Sequence, residues 1–133
     1  MNNTLIITAH VEYLHEIRLD YTQFNKIICA DGGLLIAREI GLSPDLLIGD
    51  YDSMDIPDID GIIKLPMEKD MTDTEAAIDL AVFYGATHVT ILGGLGGRFD
   101  HTMGNLGMLA KYCDKLEHIA FVDGQNYIFM MSP

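Results

Sequence analysis

The chain has 133 residues, 49% of them hydrophobic, which suits one folded domain with its own core and excludes an intrinsically disordered protein. It carries 20 acidic residues against 8 lysines and arginines, for a formal net charge of −12. This charge disfavours partners that are themselves polyanions, both nucleic acids and anionic membrane surfaces. A free nucleotide such as ATP would also be repelled, unless a cation accompanies it.

The cysteines and the chain ends favour a cytoplasmic protein. Cys29 and Cys113 each lie in an apolar run, which favours two buried thiols over a disulfide. The N-terminus lacks the basic start and the long apolar run of a signal peptide, and no apolar stretch approaches the roughly 20 residues of a membrane span. The last residues are strand-like, so we expect more protein to follow Pro133.

Apolar runs alternate with segments of helical period along the chain. The runs predict strands at Leu5–Ala9, Lys26–Ala30, Asp45–Ile48, Gly61–Leu65, Val89–Leu92, His118–Val122 and Tyr127–Met131. The periodic segments predict helices at Leu34–Ile40, at Thr72–Tyr84 and from Asp100 to Tyr112. This order, with continuous rather than alternating apolar strands, predicts a three-layer α/β/α domain around a mostly parallel, Rossmann-like sheet.

Two of the predicted helices carry specific signals. Thr72 and Glu75 fit a capping box at the start of the second helix. The apolar stripe of that helix is predicted to contain Ala77, Leu80, Ala81 and Tyr84. In the third helix, Asp100 fits an N-cap, and the spacing predicts a buried face with Met103, Leu106 and Ala110. Met103 and Met108 are both interpreted as core residues.

Acids and glycines follow most of the predicted strands. The segments are Asp31-Gly32-Gly33, Gly49-Asp50-Tyr51-Asp52, Gly93 to His101, and Asp123-Gly124. A parallel sheet brings the carboxyl ends of its strands to one edge, where α/β folds of this kind bind their ligands. Asp70 and Asp73, at the start of the second helix, could join them. We therefore expect the functional site at this edge.

Asp50 and Asp52 are the sharpest pair. Residues two apart in an extended segment point the same way, and two carboxylates about 6 Å apart repel by roughly 3 kcal/mol at an effective dielectric constant of about 20. A hard divalent cation removes this repulsion, and Mg²⁺ prefers such oxygen ligands. The competing interpretation, a solvated acidic loop, is the better one for Asp55, Asp58 and Asp60.

The glycine-rich segment from Gly93 to Gly97 could present backbone N–H groups to a phosphate. It has neither the Walker A pattern nor the dinucleotide-binding spacing, so a simple connecting turn stays an equal alternative. Arg98 beside it favours phosphate binding, because a planar guanidinium pairs well with phosphate oxygens. His101 stays open between a surface residue and a ligand contact. The remaining histidines, His10, His15, His88 and His118, are interpreted as structural.

Taken in order, four of these segments resemble the catalytic domain of the thiamin pyrophosphokinase family. They are Asp31-Gly32-Gly33, Pro44 to Ser53, Lys69 to Glu75, and Gly93 to His101 with Asn105. The resemblance implies an Mg²⁺-dependent transfer of a pyrophosphoryl group from ATP to thiamin, with AMP released. It places Mg²⁺ among Asp50, Asp52, Asp70 and Asp73. It assigns nucleotide contacts to Asp31, Gly32, Gly33, Gly94, Gly96, Gly97, Arg98 and His101, and catalytic roles to Asp73, Arg98 and Asp100.

The family plan also includes a second, all-β domain that helps to build the thiamin site across a homodimer. Residues 1–133 would then be the ATP- and Mg²⁺-binding catalytic domain, with that second domain missing or truncated. Two alternatives stay open. One is a related diphosphokinase that acts on another alcohol, such as a hydroxymethylpterin, and the other is an Mg²⁺- or nucleotide-binding fragment without catalysis.

Overall fold

The computed structural model describes residues 2–30, 32–49, 63–65, 72–95 and 99–131, and at 63–65 and 99–101 it describes the backbone alone. Seven strands run through these ranges: β1 (Asn3–Ile7), β2 (Lys26–Ala30), β3 (Leu46–Ile48), β4 (Ile63–Leu65), β5 (His88–Leu92), β6 (His118–Asp123) and β7 (Asn126–Met131). The helices are α1 (Gly33–Glu39), α2 (Asp73–Phe83) and α3 (Phe99–Tyr112). Each strand and helix predicted from the sequence is present with small shifts at its ends, although residues 61 and 62 of the fourth predicted strand lie outside the described ranges.

The strands form a single sheet in the order β4-β3-β2-β1-β5-β6-β7. β1 to β6 are mutually parallel, and β7 runs antiparallel to β6 after a tight turn at Gly124, whose φ is +60°. The chain therefore builds outward from β1 to β4 and returns to the other side of β1 with β5. This confirms the predicted mostly parallel sheet and places its change of direction between β1 and β5.

Both faces of the sheet are covered, which explains why the strands read as continuous apolar runs. On one face, Ile6, Ile91 and Phe121 pack against α2 and α3. On the other face, Leu5 and Leu92 pack against α1 and against the segment between β1 and β2. All five side chains are fully buried. The predicted three layers are thus confirmed.

The crossover from β1 to β2 contains two 3-10 turns, Leu14–Glu16 and Tyr21–Gln23, in place of a long helix. Tyr13 precedes the first turn in the left-handed conformation, with φ 51°, which interrupts a regular helix there. The outer layer on this face is therefore thin and is completed by apolar side chains of the crossover itself. Sequence analysis did not assign this crossover a structure.

The start of α2 follows the sequence prediction in part. Thr72 is the N-cap, and its Oγ1 accepts a hydrogen bond from the Glu75 N–H at 3.1 Å. The carboxylate of Glu75 accepts from the ammonium of Lys111 on α3, also at 3.1 Å, so one contact of the capping box is observed and the acidic side chain ties two helices together.

The predicted stripe of α2 is correct for its alanines and wrong at its end. Ala77 and Ala81 are fully buried. Leu80 is partly buried against the same core. Tyr84 is exposed at the surface, where the ammonium of Lys26 lies 4.1 Å from its ring centroid. This cation–π interaction stabilises the exposed aromatic ring at the surface.

The start and the buried face of α3 differ from the predictions. The helix begins at Phe99, so Asp100 lies in the first turn and not at the N-cap. The prediction of a buried Met103 and Ala110 was wrong, since both are exposed, whereas Leu106 is partly buried as expected. The buried residues are Met108, Leu109 and Tyr112.

A polar contact fixes the rotation of α3. Tyr112 is fully buried, and its hydroxyl donates a short hydrogen bond to the carboxylate of Asp79 on α2. Burial, followed by this hydrogen bond, raises the pKa of Tyr112.

Both cysteines are free, as predicted, but only Cys29 is buried in the core, whereas Cys113 is half-buried. Among the residues described, no helix is long and apolar enough to cross a membrane.

Candidate functional site

The carboxyl ends of β1, β2, β3, β5 and β6 lie side by side, because these strands are parallel and adjacent. We call this end of the sheet the carboxyl edge. α1, α2 and α3 each follow a strand and run back across the sheet, so they begin at the same edge. Their N-termini point backbone N–H groups and a positive partial charge towards it. The predicted convergence of strand ends is therefore present for the described strands, and helix N-termini join it.

The change of direction between β1 and β5 makes this the point where a crevice forms in such folds. Thr8 follows β1 and donates from both its N–H and its Oγ1 to the carbonyl oxygen of Leu92, at 3.1 and 2.9 Å. Gly93 has φ +100°, and a Cβ there would lie 2.5 Å from the carbonyl oxygen of His10 and closer still to Thr8 Oγ1. Only glycine fits this close approach of two loops.

The first residues of the glycine-rich segment are held by α3. The Asn105 side chain donates to the carbonyl oxygen of Gly94 at 2.8 Å, and Thr102 Oγ1 donates to that of Leu95 at 3.0 Å. The N–H of Gly93 donates to Val122 at 2.7 Å. Gly94 has φ +89° and sits against the ring of Phe121. The Leu95 N–H donates to the carboxylate of Asp123 at 2.9 Å, so the segment is anchored, and the N–H groups that it offers to a phosphate must be others than those of Gly93 and Leu95.

Gly32 and Gly33, predicted to contact nucleotide, lie where α1 meets the end of β1. A Cβ on Gly33 would lie 2.8 Å from the carbonyl carbon of Ile7 and closer still to its oxygen. A Cβ on Gly32 would lie 3.2 Å from that of Ala9. Close packing of helix on strand therefore requires glycine at Gly33, independently of any ligand.

Asp73, predicted both as a metal ligand and as a catalytic residue, is the first residue of α2. Its side chain is half-buried, and its Oδ1 is shielded from solvent. A shielded carboxylate oxygen at the carboxyl edge fits the hard oxygen donors that Mg²⁺ prefers. Within the described ranges, no three His, Cys, Asp or Glu side chains form a cluster able to hold a metal ion.

The other predicted site residues divide into two groups. Asp31, Asp50, Asp52, Asp70, Gly96, Gly97 and Arg98 lie outside the described residues. Asp100 and His101 lie in the first turn of α3, where the structure describes only the backbone, and this places both at the carboxyl edge. The roles assigned to all nine residues stay predictions.

Two features of this edge go beyond the roles predicted from the sequence. One is the loop after β1, in which the carbonyl oxygen of His10 approaches Gly93. The other is Asp123, the last residue of β6, which is 3% exposed. Its Oδ1 accepts a hydrogen bond from the Glu12 N–H at 2.7 Å, and its Oδ2 accepts one from the Leu95 N–H at 2.9 Å. The strand-end position marks Asp123 in the sequence, but nothing local marks its partners.

Comparison with known proteins gives one consistent result. Residues 19–121 match the family described as "Thiamin pyrophosphokinase, catalytic domain". The chain is 33% identical over 113 residues to thiamine pyrophosphokinase of Bacillus subtilis, covering 80% of this chain and 53% of that protein. It is 30% identical over 95 residues to thiamin pyrophosphokinase 1 of Caenorhabditis elegans, covering 64% of this chain and 38% of the relative. The chain thus spans about half, or less, of the length of these curated relatives.

Solved structures agree. The thiamin pyrophosphokinase of Geobacillus thermodenitrificans superimposes with a TM-score of 0.75 at 29% identity, over 94% of this chain and 61% of that one. The enzyme of Candida albicans gives a TM-score of 0.78 at 19% identity, over 98% and 60%, which supports the fold alone.

Proposed function

This chain belongs to the family of thiamin pyrophosphokinase catalytic domains, and we propose that it binds Mg·ATP and supplies the catalytic half of a thiamine diphosphokinase. In the proposed reaction, the hydroxyethyl oxygen of thiamin attacks the β-phosphorus of ATP. The bond from the β-phosphorus to the oxygen bridging it to the α-phosphorus breaks, and AMP leaves. The hydroxyl proton passes to a carboxylate, and thiamin pyrophosphate is the product.

The observation that carries this proposal is the carboxyl edge itself. It gathers the ends of five adjacent parallel strands and the starts of three helices in a chain whose residues 19–121 match the family. Pyrophosphoryl transfer depends mainly on positioning and on neutralising charge. Backbone N–H groups, helix N-termini and a shielded carboxylate at one edge are suited to both tasks.

We assign Mg²⁺ to Asp50, Asp52, Asp70 and Asp73. When bound, Mg²⁺ would offset phosphate charge and favour attack at the β-phosphorus. Asp73 contributes from the start of α2, where the helix N-terminus also favours an anion. The acids would then select Mg·ATP over free ATP, which resolves the conflict between a net charge of −12 and an anionic substrate.

We assign phosphate contacts to Gly94, Gly96, Gly97, Arg98 and His101, which follow β5. The anchored start of this segment supports the assignment, since Asn105 and Thr102 hold it before it reaches Arg98. Asp31, Gly32 and Gly33 would contact the nucleotide from the end of β2. Asp73 or Asp100 would accept the hydroxyl proton, because both lie at helix starts on this edge.

We further propose that the reaction takes place in the cytoplasm and that the working enzyme is a homodimer. The thiamin pocket lies largely outside this domain in the family plan, so this chain on its own is proposed to bind Mg·ATP and to need further protein for turnover.

The test combines product analysis with a matched pair of variants. Full-length protein, which includes the second domain of the family plan, is given Mg·ATP and thiamin, and the nucleotide product is identified by chromatography. AMP with thiamin pyrophosphate is expected, whereas ADP would contradict the proposed transfer. Asp52→Asn should abolish both Mg²⁺-dependent ATP binding and turnover, while Asp58→Asn, in the same acidic segment, should leave them unchanged. Equal behaviour of the two variants would contradict the metal assignment.

The same samples separate the alternatives. Mg·ATP binding by calorimetry without AMP formation, with thiamin or any other alcohol, would indicate a binding fragment. AMP formation with a hydroxymethylpterin but not with thiamin would indicate a related diphosphokinase.

A further inference from the structure

Asp123 links two loops on either side of the point between β1 and β5 at which the strand order reverses. The loop after β1 is reached through the N–H of Glu12, and the glycine-rich loop after β5 is reached through the N–H of Leu95. The partners lie 111 and 28 residues away from Asp123 in the chain. One side chain at the end of β6 therefore sets the position of both loops.

Backbone contacts reinforce each side of this link. Gly124 donates its N–H to the carbonyl oxygen of Glu12 at 3.0 Å, and Gly93 donates its N–H to Val122 at 2.7 Å. Gly124 and Val122 are the neighbours of Asp123 in the chain, and Glu12 and Gly93 belong to the two loops. The end of β6 thus forms a fixed base on which the two loops rest.

The chemistry of the side chain suits this task. A carboxylate has two acceptor oxygens, and Asp123 uses one for each loop. Hydrogen bonds to an ionised acceptor are stronger and shorter than neutral ones, and burial at 3% exposure limits competition from water. An asparagine of the same shape offers one acceptor oxygen and one donor group, so it can hold one loop but not both.

We propose that Asp123 is a positioning residue for nucleotide binding. It holds the loop after β1, at Glu12, and the glycine-rich loop after β5, at Leu95, at a fixed separation. The glycine-rich loop is thereby placed to reach the phosphates of Mg·ATP. This inference rests on the proposed function. Each Asp123 oxygen accepts a backbone N–H from one of these loops. Its effect on the ligand is exerted through the two loops.

The test measures Mg·ATP affinity and folding stability separately in three variants. Asp123→Asn keeps the shape and loses one acceptor and the charge. Asp123→Glu keeps the charge and changes the separation of the loops by one methylene. Asp45→Asn is the control, because Asp45 also accepts a backbone N–H, from Ile27 at 2.8 Å, but lies before β3 at the opposite edge.

Calorimetry is done at a temperature at which thermal unfolding shows each variant to be fully folded. We expect about tenfold weaker Mg·ATP binding for Asp123→Asn, a weakening of about threefold or more for Asp123→Glu, and unchanged affinity for Asp45→Asn. If Asp123→Asn does not fold, the affinity of Asp123→Glu decides. Lowered melting temperatures with unchanged affinity in both Asp123 variants would overturn the proposal and leave Asp123 a purely structural residue.

The direction of the change in affinity distinguishes this proposal from a direct electrostatic effect of Asp123 on the nucleotide. If the negative charge of Asp123 acted on the nucleotide directly, its removal would strengthen ATP binding and the glutamate variant would behave like the original protein. That pair of results would also overturn the proposal. Failure of the unsubstituted chain to bind Mg·ATP would instead overturn the proposed function, and with it this inference.

Discussion

Gly33→Ala is expected to destabilise the fold by a defined amount, because the added methyl group meets backbone. The Cβ would lie 2.8 Å from the carbonyl carbon of Ile7, with the oxygen closer still, whereas real Cβ atoms essentially never approach another atom within 3.0 Å. Neither side of this contact has a side-chain rotamer that could move away. The start of α1 must therefore shift from the end of β1, where Ile7 is fully buried.

Overpacking of this kind costs about 1–3 kcal/mol, and a backbone contact belongs at the upper end of that range. Alanine restricts the unfolded chain and returns about 0.4–1 kcal/mol, which leaves a net loss of roughly 2 kcal/mol. For a domain of this size the melting temperature should fall by about 8 °C.

The assay is urea unfolding followed by circular dichroism, with Gly107→Ala as the matched control. Gly107 lies inside α3, where a Cβ meets nothing within 4 Å, so alanine should raise the free energy of unfolding by about 0.5–1 kcal/mol. A Gly33→Ala protein as stable as the original would refute the close packing of α1 on β1. Glycine at that position would then be explained by ligand contact alone.

Three further predictions concern the core and the outer strands. The pKa of His118 is lowered from 6.5, chiefly by burial and also by the neighbouring imidazole of His88, so the free energy of unfolding should fall as the pH drops below about 6.5, and urea titrations of His118→Gln should lack that component. A thiol reagent should label one cysteine per native chain, because burial raises the pKa of Cys29 to about 12 while Cys113 is half-buried; labelling of both without denaturant would contradict the core position of Cys29. Tyr112→Phe should lower the free energy of unfolding by about 2 kcal/mol, because it removes a buried hydroxyl that donates to Asp79, and an unchanged urea midpoint would contradict that contact.

The strands could be predicted from the sequence because a parallel sheet covered on both faces leaves a strong and simple signal. Successive residues of β1, such as Leu5 and Ile6, pack on opposite faces and are both fully buried, so its central run is continuously apolar. Thr72 could be identified as a cap for a similar reason, since its contact with Glu75 spans only three residues. Features that depend on residues close together in the sequence can therefore be predicted from it.

The orientation of α3 could not be predicted in the same way. Apolar residues lie on more than one side of this helix, and the buried one is Tyr112, whose hydroxyl contacts Asp79 on another helix, while Met103 is exposed. The burial of β7 could not be predicted from its apolar run either. It is a strand as predicted, yet Tyr127 and Phe129 are about half exposed, because β7 closes the edge of the sheet.

The edge of the sheet at which strand ends converge could be predicted from the sequence, but the different tasks of its acids could not. Acids that follow strands look alike in the chain, and the topology then gives them different tasks. Asp123 lies beside the switch between β1 and β5 only because β6 pairs with β5, a fact that no local pattern contains. His10 gains its place at the edge for the same reason, since β1 is central.

This sorting bears on how a chain with a net charge of −12 could hold a nucleotide. A carboxylate that accepts a backbone N–H on each oxygen has two fewer lone pairs for a cation, and the two donors fix its orientation. Asp123 accepts the Glu12 N–H on one oxygen and the Leu95 N–H on the other, so we infer that it holds loops, although its position at a strand end resembles that of the predicted metal ligands. Asp73, the first residue of α2 at the carboxyl edge, stays a predicted metal ligand by its position. If the proposed function holds, the acids at this edge thus divide into those that shape the loops and those that meet Mg²⁺, and only the second group should alter the Mg²⁺ dependence of ATP binding when replaced.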